Sequence, residues 1–285
     1  MKQFDLYRFG RALKCQILVT RKAWLRLFGI YTMVMFFGGL FFTRIAGPSY
    51  LSMEQWYDGE SLIHYYSGFV KDSAIFGIFF FFFAMLFGAS SLFMNMKDTR
   101  KRSAYMLWPV SNGEKYVISL LQSIFLIAII AVAAYAVADA LRVLVDAITG
   151  RIVLWGIPMF IDQFSNIFGQ LRWQDTMLML TWMFYFHSLY IVGGTLFRRY
   201  HFLSTSGVIA IVTILFIMLI KQTRIDHWNY YFVDYVNEGG DFTVIYNLSF
   251  YIAIIIGWLI VAFHYWLSFK FFCRMQVINN KWLNV

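Results

Sequence analysis

Six stretches of this chain run for at least 17 residues without a single Asp, Glu, Lys or Arg. That pattern leaves few folds open. A helix of about 20 apolar residues crosses a bilayer core of about 30 Å. In lipid only helices and closed barrels can satisfy their own backbone groups. The runs predict spans near residues 27–43, 73–96, 116–138, 176–197, 200–220 and 246–269. The expected fold is an all-α polytopic membrane protein with six transmembrane helices, one transmembrane domain covering residues 1–285.

The charges between the runs are sorted by sign. Segments 1–26, 97–115, 198–199 and 270–285 hold 17 of the 24 Lys and Arg and only 3 of the 15 acids. By the positive-inside rule these segments, and both termini, are expected in the cytoplasm of a cell whose inner membrane holds the chain. The net charge of +9 is therefore read as an orientation signal and an attraction to membrane lipids, and no nucleic-acid partner is expected. Cys15 and Cys273 fall on the same reducing side, without metal-ligand spacing, and read as ordinary thiols. A basic stretch precedes the first apolar run and no small-residue cleavage site follows it, so no cleaved leader is expected.

Residues 2–24 read as an amphipathic interfacial helix. Leu6, Phe9, Leu13, Ile17, Thr20 and Trp24 recur at helical spacing, with Arg8, Arg11, Lys14, Arg21 and Lys22 opposite. In the second span, five phenylalanines from Phe79 to Phe83 precede the small-residue patch Gly88-Ala89-Ser90-Ser91, which invites close helix approach. Outside, residues 139–175 and 221–247 are long and aromatic, with Trp155, Phe160, Phe164 and Trp173 in one and Trp228, Tyr230, Tyr231 and Phe232 in the other. Both are expected to form interfacial or re-entrant helices, as an aromatic belt or an outer gate.

Chemistry inside the spans is sparse. None of the six runs holds an Asp or Glu, which counts against an ion-coupled carrier. The candidate intramembrane polar groups are His187, beside hydroxyl-bearing neighbours in span 4, and Gln122 in span 3; for each, a hydrogen bond to a neighbouring group is favoured over a functional role. No metalloprotease, phosphate-loop, paired-Cys or serine-hydrolase motif occurs. The chain is expected to be no enzyme and to carry no cofactor and no metal.

The segment 97–115 is the most informative loop. It is basic at Arg100, Lys101 and Arg102, then apolar at Tyr105, Leu107 and Trp108, and Pro109 interrupts any helix through it. Ser111 followed by Glu114 is a capping-box pattern for the helix of span 3. An apolar cluster in such a loop calls for a membrane surface or a protein partner.

In order along the chain, a basic amphipathic helix before span 1, this loop, a very short turn between spans 4 and 5, and an aromatic segment between spans 5 and 6 resemble the membrane subunit of an ABC-2 type transporter. The stretch Leu107-Trp108-Pro109-Val110-Ser111-Asn112-Gly113-Glu114-Lys115 also resembles an LPxSxxEK sequence of bacterial permeases of that kind, with Trp108 intervening. The resemblance implies a dimer of identical or paralogous permeases above separate cytoplasmic ABC ATPases. It implies a coupling helix around residues 99–108, with Arg100, Lys101, Arg102, Tyr105, Leu107 and Trp108 meeting the ATPase. A non-transporting scaffold or sensor that recruits a cytoplasmic partner through the same loop is the alternative.

Overall fold

In lipid, backbone polar groups find partners only within the chain, so long apolar runs become long helices. The computed structural model of the chain describes residues 4–46, 58–92, 103–105, 107–169, 171–197, 200–223, 232–238 and 241–274. Six helices among them are long and apolar enough to cross a bilayer, the arrangement of a multi-pass membrane protein. They are α1 (Leu6–Leu40), α2 (Gly59–Ser90), α3 (Asn112–Ile148), α5 (Trp173–Leu196), α6 (His201–Thr223) and α7 (Leu248–Arg274). The short α4 (Gly156–Gly169) has 14 residues, about 21 Å at 1.5 Å each, too short to cross. Arg100, Lys101 and Arg102, with Trp228, Tyr230 and Tyr231, lie outside the described residues.

The chain falls into two compact units. The first comprises residues 3–85 and 121–170. Here α1 opens at Asp5, whose carboxylate accepts the N–H groups of Tyr7 and Arg8, and runs unbroken for 35 residues before a π-helical turn at Phe41–Ile45. No gap separates the basic amphipathic stretch from the first span; they are one helix. Its buried face overlaps the apolar stripe read from the sequence at Thr20, with Phe9, Leu13 and Trp24 of that stripe half-buried. Ala12, Gln16 and Thr20 go inward, while Leu6 and Ile17 are exposed. The same face continues through Tyr31, Met35 and Gly39, a three-to-four-residue rhythm that packs along α3.

Two apolar clusters form this unit's core. One joins Tyr31, Ala84, Met85, Ile127, Ile130, Ala131 and Ala134; the other joins Met35, Ala74, Ile78, Tyr135, Ala138 and Phe160. The alanines of α3 admit close neighbours, and Gly38 lies directly under the Phe76 ring. Phe79 is exposed while Phe80 packs edge-on to Tyr31 and Phe81 edge-on to Phe164 of α4, so the phenylalanine run divides between lipid and protein.

The second unit comprises residues 86–120 and 171–285. The small patch closing α2 meets α5, where a Cβ on Gly194 would stand 2.5 Å from the Ser90 carbonyl oxygen. Gly193 likewise lies against Thr205 of α6. Four residues lie between α5 and α6 in the sequence; of these Tyr200 has φ 51°, a left-handed conformation uncommon for a residue bearing a side chain. Most of α6 buries little; Leu203, Ile211, Val212, Leu215 and Met218 are all exposed apolar residues, a surface suited to lipid.

The segment expected as an aromatic helix between α6 and α7 contains a hairpin instead. Strands β1 (Val233–Glu238) and β2 (Asp241–Tyr246) pair antiparallel, from Val233↔Tyr246 to Glu238↔Asp241. Only Gly239 and Gly240 intervene in the sequence. Gly-Gly between β-branched and aromatic residues is a two-residue hairpin signal, and here it outweighs the aromatic content.

Candidate functional site

The site begins at the start of α3. Ser111 donates its N–H to Glu114 Oε2 at 2.8 Å, and the Glu114 N–H donates to Ser111 Oγ at 3.3 Å, a reciprocal capping box. This fixes where the loop stops and α3 begins. Glu114 and Lys115 are buried, and the Lys115 ammonium stands 5.8 Å from the centre of the Tyr105 ring.

Of the loop residues expected to meet a partner, the structure separates three. Tyr105 is buried and packs with Trp108, Tyr116 and Phe272, flanked by Leu92, Leu120 and Phe269. Its hydroxyl lies 3.2 Å from Ser119 Oγ and donates to the Lys115 carbonyl at 3.4 Å. Burial pushes this phenol up to about 12. Tyr105 is thus an internal bolt. Trp108 is half-buried against it, ring centres 5.6 Å apart. Leu107 points away and is 82 % exposed. Tyr116, in turn, donates to the Tyr265 carbonyl at 3.0 Å and packs on Phe269 and Phe272 of α7. A rigid platform of α3 and α7 therefore carries an outward-facing leucine.

Among the intramembrane candidates, Gln122 opens a π-helical turn, Gln122–Leu126, inside α3. Its Oε1 accepts from Gln16 Nε2 of α1 at 2.9 Å, both residues being buried. Thr20 donates to the Gln16 carbonyl and accepts from Trp24 Nε1, extending the polar track along α1. His187 of α5 is buried, with Nδ1 2.9 Å from the Tyr265 hydroxyl of α7. One step along, Ser188 Oγ lies 3.1 Å from His264 Nδ1. These crossed pairs tie α5 to α7 as interhelical hydrogen bonds do.

The largest polar assembly has no counterpart among the sequence candidates. The acids and the arginine of 139–146 are not in a solvated outer loop: α3 continues to Ile148 and buries Asp139, Arg142 and Asp146. Asp139 Oδ1 accepts from Arg142 Nε at 3.1 Å and Nη2 at 2.7 Å. Asp139 Oδ2 accepts the N–H groups of Gly156 at 2.8 Å and Ile157 at 3.0 Å, capping α4. Arg142 Nη2 also donates to the Leu154 carbonyl, and Nη1 to Asp146 Oδ2 at 2.8 Å. Asp146 further accepts from Tyr66 of α2 at 2.9 Å and from Arg44 at 2.9 Å. The signal in the sequence is the spacing Asp139, Arg142, Asp146 (i, i+3, i+7), which puts all three on one helical face. The network binds α1, α2, α3 and α4 together; every carboxylate oxygen in it is taken by a donor from the chain. Among the described residues no group of His, Cys, Asp and Glu could hold a metal ion.

No protein-family model, no curated protein and no solved structure matches this chain.

Proposed function

We propose that the chain is the membrane-spanning permease subunit of an ATP-driven ABC-2 exporter, forming a substrate pathway with a second permease, identical or paralogous, over separate ATPase subunits. The observation that carries this reading is the build of the loop before α3. Tyr105 and Trp108 lock it to α3 and α7, and Leu107 stands free on its outer surface. A force applied at such a loop passes into two spanning helices rather than dissipating in a flexible turn. In this reading Leu107 is the apolar anchor for a pocket on the ATPase, Arg100, Lys101 and Arg102 pair with acids around that pocket, and both termini share the cytoplasmic face. The excess of Lys and Arg in segments 1–26, 97–115, 198–199 and 270–285 supports that orientation.

The test is recovery of bound proteins with the tagged chain from gently solubilised native membranes. A soluble ATPase with a phosphate-binding loop should be retained by the unaltered chain and lost with Leu107→Ala. Retention of other membrane complexes without any ATPase would sink the transporter reading and favour a scaffold that recruits a different cytoplasmic partner.

A further inference from the structure

Six rings form an unbroken track across α5 and α7. Phe186 stacks on Trp182 with ring centres 5.8 Å apart, and Tyr185 meets Trp182 edge-on at 5.9 Å. From Tyr185 the track crosses to α7, 5.7 Å to the His264 ring. Phe263 lies 6.4 Å from His264 and stacks on Trp266 at 5.8 Å. Trp182, Phe263 and Trp266 are each more than half exposed, while Tyr185, Phe186 and His264 are half-buried.

The depth of the track is unusual for these residue types. Trp and Tyr settle at headgroup level, where their polar edges meet water. Asp175 is the last charge before Tyr185 and Arg198 the next. At 1.5 Å per residue, Tyr185 stands about 15 Å from the one and about 20 Å from the other, near the middle of a core of about 30 Å. Its hydroxyl, the Trp182 N–H and His264 Nε2 have no hydrogen-bond partner among the described residues. The state of that imidazole follows from its other nitrogen. Ser188 Oγ donates its only proton to the Tyr185 carbonyl at 2.8 Å, so its 3.1 Å contact with His264 takes the proton from Nδ1. Nε2 of the neutral ring then carries a lone pair. Acyl chains offer nothing to these three polar groups.

We infer that this track is a binding site for a lipophilic organic cation, an aromatic phosphonium or quaternary ammonium whose charge is set among apolar groups. Ring faces are electron-rich and hold such cations most strongly where water is excluded. Residues 176–197 and 248–269 carry no Lys, Arg, Asp or Glu, so no fixed cation repels the ligand there. The lone pairs of Tyr185 and His264 add to the attraction. One ring of the track already carries a cation, the Lys270 ammonium standing 5.5 Å from the centre of Trp266. That this ligand is cargo rests on the exporter reading; its binding does not, because it needs no ATPase.

Tetraphenylphosphonium and tetraphenylborate have nearly the same size and shape and opposite charge. Binding of each to the full-length chain in phosphatidylcholine nanodiscs is measured by equilibrium dialysis against empty discs. Tetraphenylphosphonium should show a saturable component that empty discs lack and that tetraphenylborate does not share. Trp182→Leu should weaken it about tenfold, the scale of a desolvated cation–π contact, while Tyr185→Phe, which keeps the ring, should stay within about threefold of the parent. Uptake equal to that of empty discs would mark a surface that faces lipid alone and overturn the inference. Saturable binding of both probes alike would also overturn it, since the track would then read shape and not charge. So would unchanged affinity in a folded Trp182→Leu chain. The comparison of the two probes uses the unaltered chain, so it decides the matter even if that variant fails to fold. Recovery of an ATPase is scored separately, so either reading can fail without the other.

Discussion

One oxygen of Asp139 holds Arg142 through two hydrogen bonds, while its twin accepts the two N–H groups that open α4. A single carboxylate thus neutralises a buried guanidinium and seats a neighbouring helix. Replacing it with Asn removes the charge but keeps the shape. Asp139→Asn should cost about 3–5 kcal/mol, because Arg44 and Arg142 are then left to share the single carboxylate of Asp146 and one buried positive charge is uncompensated. Thermal unfolding of the purified chain in mild detergent reads this. Asp139→Asn combined with Arg142→Met should recover most of the loss, because the surplus buried guanidinium is gone and Asp146 keeps Arg44. A double variant as unstable as the single would show that Arg142 does not depend on Asp139.

The helix contact between Gly194 and Ser90 allows no side chain. The atom that a Cβ on Gly194 would strike is a backbone oxygen, 2.5 Å away, and backbone cannot swing aside. Gly194→Ala should destabilise the chain by about 1–3 kcal/mol. Gly207→Ala is the control, since nothing lies within 4 Å of its would-be Cβ, and it should unfold at or slightly above the parent temperature. Equal behaviour of the two variants would dismiss the close contact.

The bolt and the anchor of the loop before α3 can be separated experimentally. Tyr105→Ala empties a packed aromatic position and should lower stability by about 3–5 kcal/mol. Leu107→Ala, at an exposed position, should stay within about 0.5 kcal/mol of the parent. In the proposed assembly it should nevertheless weaken binding of the ATPase by about 2 kcal/mol, the scale of an interface hot spot. Partner affinity unchanged in Leu107→Ala would remove this leucine from the interface.

Gln16 and Gln122 are joined side chain to side chain inside the first unit. Gln122→Leu leaves the Gln16 amide buried without that partner and should cost about 1–2 kcal/mol, the range of interhelical hydrogen bonds in membranes. Gln16→Leu/Gln122→Leu should be closer to the parent than either single variant. Additive losses in a double-mutant cycle would mean the two amides are not coupled.

The start of α2 carries a pH dependence of known sign. The Ser61 side chain and N–H both hold the Asp58 carboxyl below its ordinary value. A lowered carboxyl contributes stability above its unfolded value and loses it as pH falls through the folded one. Hydrogen exchange at the Ser61 amide should therefore accelerate, beyond its intrinsic pH dependence, on acidification below the usual carboxylate range. Asp58→Asn should abolish that extra acceleration.

The spanning helices are legible in the sequence because a charge inside a bilayer is costly, so its absence over a whole run is a strong signal. The capping pair Ser111 and Glu114 is legible because both partners lie within one turn. The inward turn of Tyr105 is not. Its neighbour Phe272 is distant in sequence, and an aromatic residue in a basic loop reads alike whether it faces a partner or its own chain. The Arg142 network escapes for a related reason. Counting charges ends the third span at Asp139, whereas the helix continues because Arg44, Tyr66 and the α4 N-terminus supply the pairing that lets those acids be buried. The inward turn of Gln16 on α1 is not legible either, because its partner Gln122 lies 106 residues away in the sequence.

The buried network contains Arg44 and Arg142 against Asp139 and Asp146, and its charges cancel. In translating a body, a membrane potential does work only on its net charge, about 2.3 kcal/mol per elementary charge for each 100 mV. Moving this cluster as a body would therefore transfer no gating charge. Carried across the bilayer as one body, the clasp that joins α1, α2, α3 and α4 is indifferent to how strongly the cell is polarised.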